Sequence, residues 1–355
     1  MDKSKRLYIG GYKGQDPHCL HFCDYDARAG SIAKIESYQI DNSSYLCFSP
    51  DRKYLYTVIE QDDYKGRIGG GIAAYAIEND GRLRFINDSY TEGGYPCHLS
   101  VSDDGKTLYA ANYTGGSSVY FALLPDGGIG DKKVLIDHNG FGPASHTHGG
   151  RQQRPHAHYI RQAPHYGVTN IWVCDLGLDA VLVLDEAGNE LSRFTAPPGF
   201  GPRHLIFHPV LPFVYVLGEL SCSVIALEYD FNKTFSMYAY PEVPVLEGPV
   251  GNTTCAAIRV SPDCKHLLVS NRIPEKEGSV SILGLQAGGV TGLEKIVPSG
   301  GCWPRDFNFD PEGGKVLVAN EHSNRVSVFD WHEGNLTPTG GAFEVQKPTC
   351  VLFGE

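Results

Sequence analysis

A unit repeated seven times governs what this chain can fold into. Short apolar stretches start at Ser43 (SSYLCFS), Pro96 (PCHLSVS), Pro155 (PHAHYIR), Pro202 (PRHLIFH), Cys255 (CAAIRVS), Pro304 (PRDFNFD) and Pro348 (PTCVLFG). The starts lie 53, 59, 47, 53, 49 and 44 residues apart. A turn such as PDRK, DDGK, PDCK or PEGG usually follows, and then a second apolar run: YLYTVIE, TLYAANY, IWVCDLG, VYVLGEL, LLVSNRI or VLVANEH. A third run, as in GSVSILGL and NRVSVFDW, and a weaker fourth after DGRL or EGNL complete the unit. No convincing helical period interrupts this pattern, so the runs read as strands.

Four short strands per unit of that length is the signature of a β-propeller blade. Seven starts predict an all-β chain, a seven-bladed β-propeller forming a single domain over residues 1–355. The last start, at Pro348, has no second strand after it, whereas the chain opens on second-strand sequence, RLYIGGY. One blade is therefore expected to be closed by both termini, Thr349–Phe353 lying beside Leu7–Gly11. Such closure removes the open sheet edge that would invite aggregation.

The formal charge of −11, without a Lys/Arg run, excludes a nucleic-acid footprint and disfavours anionic membrane surfaces. The opening MDKSKRLYIGGYKG has no apolar stretch of secretory or membrane-spanning length, which sets the expectation of a cytoplasmic protein. Ten cysteines are scattered without a CxxC pair, several inside strand-like runs such as SYLCF. They read as reduced, small core residues rather than a disulfide framework.

In a propeller the first strand of every blade lines the central channel, so equivalent positions face one shared space. Directly after the starts stand Ser44, Cys97, His156, Arg203, Ala256, Arg305 and Thr349, followed by Tyr45, His98, Ala157, His204, Ala257, Asp306 and Cys350. The second strands end on Tyr12, Glu60, Tyr113, Leu176, Glu219, Arg272 and Glu321. Burying so many charges costs several kcal/mol per ion unless they pair or serve a ligand. A mixed-charge cleft of this kind is where catalysis is expected.

His156, His158, Arg203, Glu219 and Arg272 are accordingly the candidate catalytic residues. Arg305, Glu60, Glu321, His98 and His204 are candidates for substrate binding. Each has a plainer alternative: His98, His204 and Asp306 could hydrogen-bond neighbouring blades, and Glu60 and Glu321 could simply be solvated. Strand alternation sends His156 and His158 to the same face, where one could support the other. The pair could also supply part of a zinc or iron site. The convergent arginines would repel a cation, and no metal is expected. His146 and His148, in HTHGG, are loop-borne and could chelate only nonspecifically.

Taken in order, RQQRPHAHYI, VCDLGLD, GPRHLIFHP, LYAANYTGGSSVYF, LLVSNR and WPRDFNFDPEG resemble the lactonase-type seven-bladed propellers over nearly the whole chain. That family includes the bacterial propeller 6-phosphogluconolactonases and the fungal carboxy-cis,cis-muconate cyclases. Its cyclase branch implies a histidine, a glutamate and arginines in the channel mouth, which fall here on the PHAH histidines, Arg203, Glu219 and Arg272.

The resemblance implies hydrolysis of a small sugar lactone, phosphorylated in the 6-phosphogluconolactone case, with no cofactor. Such chemistry needs a base for water, stabilisation of an oxyanion and an acid for the leaving ring oxygen. Histidine titrates in the right range for the base. Either His156 or His158 could serve, with Glu219 orienting it or acting itself. Arg203, Arg272 and Arg305 offer forked donors to a phosphate or an oxyanion. Two alternatives remain open: a lactonizing cyclase acting on a carboxylated muconate, and a non-catalytic interaction platform. The loop from Asp137 to Gln153 makes the longest gap between starts and is a candidate cover for the site.

Overall fold

The repeated turns explain why the strands form where they do. Ser49, Ser102 and Ser261 each end a first strand, and their hydroxyls donate to Asp51, Asp104 and Asp263 at 2.7, 2.7 and 2.6 Å. The same oxygens accept the amides of Tyr54, Thr107 and His266 at 2.9–3.0 Å, closing the hairpin onto the second strand. A serine with an aspartate two residues on is therefore a turn device that the sequence repeats.

The computed structural model describes residues 5–140, 150–164, 169–230 and 236–354. It is all-β: among the described residues the sole helical turn is a 3-10 turn at Glu321–Ser323. Among the described residues, seven antiparallel sheets of four or more strands, plus a two-stranded ribbon, account for the strands. This is the seven-bladed β-propeller that the repeat predicts.

The chain divides into two compact units. The first comprises the chain up to Ser44, Cys222–Ala226 and everything from Pro241 onward. It contains the sheet shared by the two ends of the chain, in which Lys5–Gly11 pairs with both His18–Asp26 and Pro348–Phe353. The register Leu7↔Phe353, Tyr8↔Leu352, Ile9↔Val351 is the predicted terminal closure. Two further sheets belong to it, built on Thr254–Val260 and on Pro304–Phe309.

The second unit comprises Tyr45–Ser221 and Leu227–Tyr240. Its sheets start at Leu46–Phe48, Pro96–Val101, Ala157–Gln162 and Pro202–Phe207.

Within each unit, neighbouring sheets bury apolar side chains against one another. Leu7, Ile9, Val351 and Phe353 pack with Leu317, Val326 and Val328 in the first unit. Tyr109 and Tyr120 pack with Ile160, Val173 and Leu182 in the second. Burial of each such side chain contributes about 1.5–3 kcal/mol. All ten cysteines are free thiols, and most are buried. Among the described residues no helix is long and apolar enough to cross a membrane.

First strands begin at the expected residue for Pro96, Pro202, Pro304 and Pro348. The residue before each of those prolines, Tyr95, Gly201, Trp303 and Lys347, takes a left-handed backbone (φ 51°, 63°, 63° and 39°). Only one of the four is glycine, and for the others this geometry costs roughly 1 kcal/mol or more. The strand expected at Pro155 instead begins at Ala157, with a bulge between Ala157 and Tyr159. The reason is local: the His156 amide donates to a side chain, Asp175 Oδ1, at 2.8 Å rather than to the ladder.

Candidate functional site

In the second unit the ends of two neighbouring sheets bring together His156, His158, Arg203 and Glu219, four of the five candidate catalytic residues. Glu219 follows the strand Phe213–Gly218 and is 1% exposed. Arg203 Nη1 donates to Glu219 Oε2 at 2.5 Å and to His158 Nε2 at 2.6 Å. Arg151 Nη2 donates to the other carboxylate oxygen, Oε1, at 2.7 Å. Arg151 Nε donates to the Tyr113 hydroxyl at 2.8 Å, and its guanidinium lies 5.7 Å from the Tyr113 ring centre. One carboxylate thus orders two guanidiniums, each charge-assisted and fixed in direction.

These contacts place the proton of each histidine and give the two Nε2 atoms different surroundings. A guanidinium has only N–H donors, so His158 Nε2 accepts and carries no proton in this arrangement. His156 Nδ1 lies 2.9 Å from the Tyr113 carbonyl oxygen, which can only accept. His156 therefore carries its proton on Nδ1 and keeps a lone pair on Nε2. Burial lowers the His156 pKa from 6.5 by penalising the charged ring, opposed by the Tyr113 carbonyl and by Asp175 and assisted by Arg154 and Arg151. The ring is consequently neutral and basic at neutral pH.

Strand alternation sends the two rings to one face, where one could support the other. Instead both lie on Tyr113: His156 stacks on it at 4.5 Å and 21°, and His158 meets it edge-on at 5.4 Å. The bulge after Ala157 breaks the simple alternation that would align them.

His98 and His204 join an aromatic group with Tyr45 and Tyr159, ring centres 4.1–6.0 Å apart, and His204 lies 5.4 Å from His158. His98 Nδ1 accepts the Ile160 amide of the next sheet at 3.3 Å, the inter-blade role given as its alternative. Asp306 does the same in the first unit, accepting from Arg259 at 2.8 Å and from the Val351 amide at 3.0 Å. Glu60 is buried directly after Tyr54–Ile59 in the second unit.

Arg272, Arg305 and Glu321 belong to the first unit and form a group there. Arg272 Nη2 donates to the Cys255 carbonyl at 2.8 Å, and its guanidinium lies 5.2 Å from the Trp303 ring centre. Trp303 stacks on His322 at 4.7 Å and 7°. Glu321 lies 3.8 Å from both Arg305 Nη1 and His322 Nε2, and Arg305 Nη2 donates to the Tyr12 hydroxyl at 2.5 Å.

Nothing in the repeat singles out Arg151, the first residue of RQQRPHAHYI. The residue precedes the strand and so has no repeat position to align. Trp303 and His322 were missed for a similar reason, standing just outside the aligned positions. Gln152, beside Arg151, is 1% exposed and donates to the Leu176 carbonyl at 3.0 Å. Residues 141–149, the middle of the loop expected to cover the site, lie outside the described residues, as do His146 and His148. Among the described residues no three His, Cys, Asp or Glu side chains gather as a metal ion requires.

One glycine supports the segment that carries His156. A Cβ on Gly177 would lie 1.9 Å from the Arg154 carbonyl oxygen and 3.0 Å from the His156 nitrogen. Both are backbone atoms, which cannot step aside as a flexible side chain can.

Comparisons with known proteins agree with this architecture. Residues 6–353 match the family model "Lactonase, 7-bladed beta-propeller". A 6-phosphogluconolactonase of Bacillus subtilis (strain 168) is 32% identical over 357 residues, covering 98% of this chain and 97% of the relative. A 6-phosphogluconolactonase of Formosa agariphila is 30% identical over 343 residues, 91% of each chain. The solved structure of a Pseudomonas aeruginosa periplasmic gluconolactonase superposes with a TM-score of 0.87 at 27% identity over 98% of both chains. With a family model spanning nearly its whole length and relatives matched end to end, the chain belongs to the lactonase family of seven-bladed β-propellers.

Proposed function

We propose that the protein hydrolyses a sugar lactone, with His156 as the general base. The observation that carries this reading is the pairing of a neutral imidazole, its lone pair on Nε2, with guanidiniums aligned by one carboxylate. His156 Nε2 takes a proton from water as the water oxygen attacks the lactone carbonyl. The negative charge that develops on the carbonyl oxygen is met by guanidinium N–H donors. Arg151 supplies them, using only Nε and Nη2 in the contacts above and being 39% exposed at its side chain. The proton on His156 then passes to the ring oxygen as the C–O bond breaks, restoring the base. Glu219 and Arg203 hold the array, and His158 accepts from Arg203 to lock its direction.

The names of the Bacillus and Formosa relatives support 6-phosphogluconolactone as the substrate, and a role in the pentose phosphate pathway is part of the proposal. On residue chemistry, Arg272 and Arg305 are the proposed donors to the substrate's anionic group. Glu60, Glu321, His98 and His204 remain proposed substrate contacts. The reading treats the chain as one domain, requires no cofactor and no metal, and involves neither nucleic acid nor membrane. A cytoplasmic setting is part of it, supported by ten free thiols.

A coupled assay with freshly made 6-phosphogluconolactone, spontaneous hydrolysis subtracted, tests the function. The phosphorylated lactone is expected to exceed gluconolactone in kcat/KM by at least about tenfold, and Arg305→Ala to erase that preference. A rate equal to buffer on both lactones overturns the reading, and turnover of a carboxymuconate in their place would reassign the protein to cyclase chemistry.

Gly177→Ala is expected to reduce kcat/KM about 100-fold, because it displaces the backbone at Arg154 and His156 by an ångström or more. Near-UV circular dichroism should stay native while the kinetics change. Native kinetics in this variant would show that the segment's position is not critical.

A further inference from the structure

Asp175 stands at a position the repeat makes comparable across sheets, the last residue of a second strand or the one before the functional end. Its equivalents are Asn112, Asn271 and Asn320, paired to the first strands at Pro96, Cys255 and Pro304 as Asp175 is to Ala157. Each asparagine does one structural job with its amide. Asn112 donates to Ser117 Oγ and the Thr91 carbonyl at 3.0 and 3.2 Å. Asn271 donates to Ser279 and Ser281 at 3.0 and 2.7 Å. Asn320 donates to the Ser299 carbonyl and Ser327 Oγ at 3.0 and 3.1 Å. A neutral amide suffices for the fold in three sheets.

In the sheet that carries His156 the amide is replaced by a carboxylate with its own histidine. Asp175 is completely buried. Its Oδ1 accepts the amides of His156 at 2.8 Å and Leu178 at 3.0 Å, and its Oδ2 accepts from His138 Nδ1 at 2.7 Å. His138 Nε2 lies 3.1 Å from Ser118 Oγ. Ser118, His138 and Asp175 have the residue types and bonding order of a hydrolytic triad. Ser118 is completely buried, however, so no substrate carbonyl reaches its oxygen. The chain runs the other way, ending on the backbone of His156.

We propose that Asp175, buttressed by His138 and Ser118, is a positioning residue that fixes His156 for proton transfer, a role that rests on the base assignment made above. The charge matters as well as the bonds. The ring of His156 stacks on Tyr113, and among the charged groups that act on it, Asp175, Arg154 and Arg151, Asp175 is the acidic one. An asparagine at 175 keeps the shape used by the other sheets and removes only the charge and one acceptor.

The test compares Asp175→Asn with the native protein by three measurements: the pH profile of kcat, the KM, and NMR titration of the His156 ring, assigned by its loss in His156→Gln. The expected result is a kcat about 10–100-fold lower with KM within about threefold. The acid limb of the profile and the His156 titration should both move to lower pH. Native kcat with an unmoved titration overturns the proposal. A titration that moves while the rate profile does not would uphold the coupling of Asp175 to His156 and overturn the base assignment instead. Should Asp175→Asn fail to fold, His138→Gln, which leaves both backbone N–H bonds in place, carries the same prediction at smaller size, and a native profile in it overturns the proposal. A fluorophosphonate that labels Ser118 would also overturn it, by making the triad a nucleophilic one.

Discussion

Glu219→Gln is expected to lower kcat/KM about 100- to 1000-fold and to destabilise the protein by about 3 kcal/mol. The carboxylate is 1% exposed and holds Arg203, 4% exposed, through Oε2 and Arg151 through Oε1. An amide of the same shape can accept one N–H bond but cannot neutralise a buried guanidinium. The loss of charge leaves Arg203 in a place that water does not reach, and it frees Arg151 to adopt directions in which its N–H groups no longer meet the oxyanion. Two consequences separate these effects. Adding Arg203→Met to Glu219→Gln should recover most of the lost stability, since a buried ion pair replaced by apolar volume is often neutral. It should recover none of the activity. Chemical denaturation and steady-state kinetics on the single and double variants read both terms as a cycle. Activity near native in Glu219→Gln would remove this cluster from the reaction.

His156→Gln is expected to lose about 100- to 10,000-fold in kcat, the usual contribution of a positioned base. His158→Gln should lose much less, because a glutamine carbonyl still accepts from Arg203. The pH profile gives an independent check of the sign. The neutral form of His156 is the active one, and burial penalises its charged form. Protonation therefore sets in below the ordinary imidazole value of 6.5, and the acid limb of kcat/KM should lie below it. The Tyr113 carbonyl and Asp175 limit the displacement, while Arg154 and Arg151 add to it. An acid limb above pH 7, or a glutamine variant with native rate, contradicts the assignment.

Much of this was legible before any coordinates. The strand starts at Pro96, Pro202, Pro304 and Pro348, and the pairing of Leu7 with Phe353, follow from a repeat whose turns and apolar runs recur with the period of the fold. Arg203 and Glu219 were found because they occupy equivalent strand ends, where a structural residue has no need of charge, and His158 through its spacing of two residues from His156. Arg151 was not, since a loop residue has no repeat position. The Ser118–His138–Asp175 chain was not either, since its members come from two sheets and look unremarkable one at a time.

The repeat, the strand order, the terminal closure and the family were determined by the sequence alone, because each depends on periodicity and turn chemistry that act over a few neighbouring residues. Which nitrogen of each histidine carries the proton, and that two arginines share one carboxylate, was decided only by the tertiary structure. A proton's place on an imidazole depends on whether the atom facing it donates or accepts, and for His156 and His158 those atoms belong to Tyr113 and Arg203, 43 and 45 residues away.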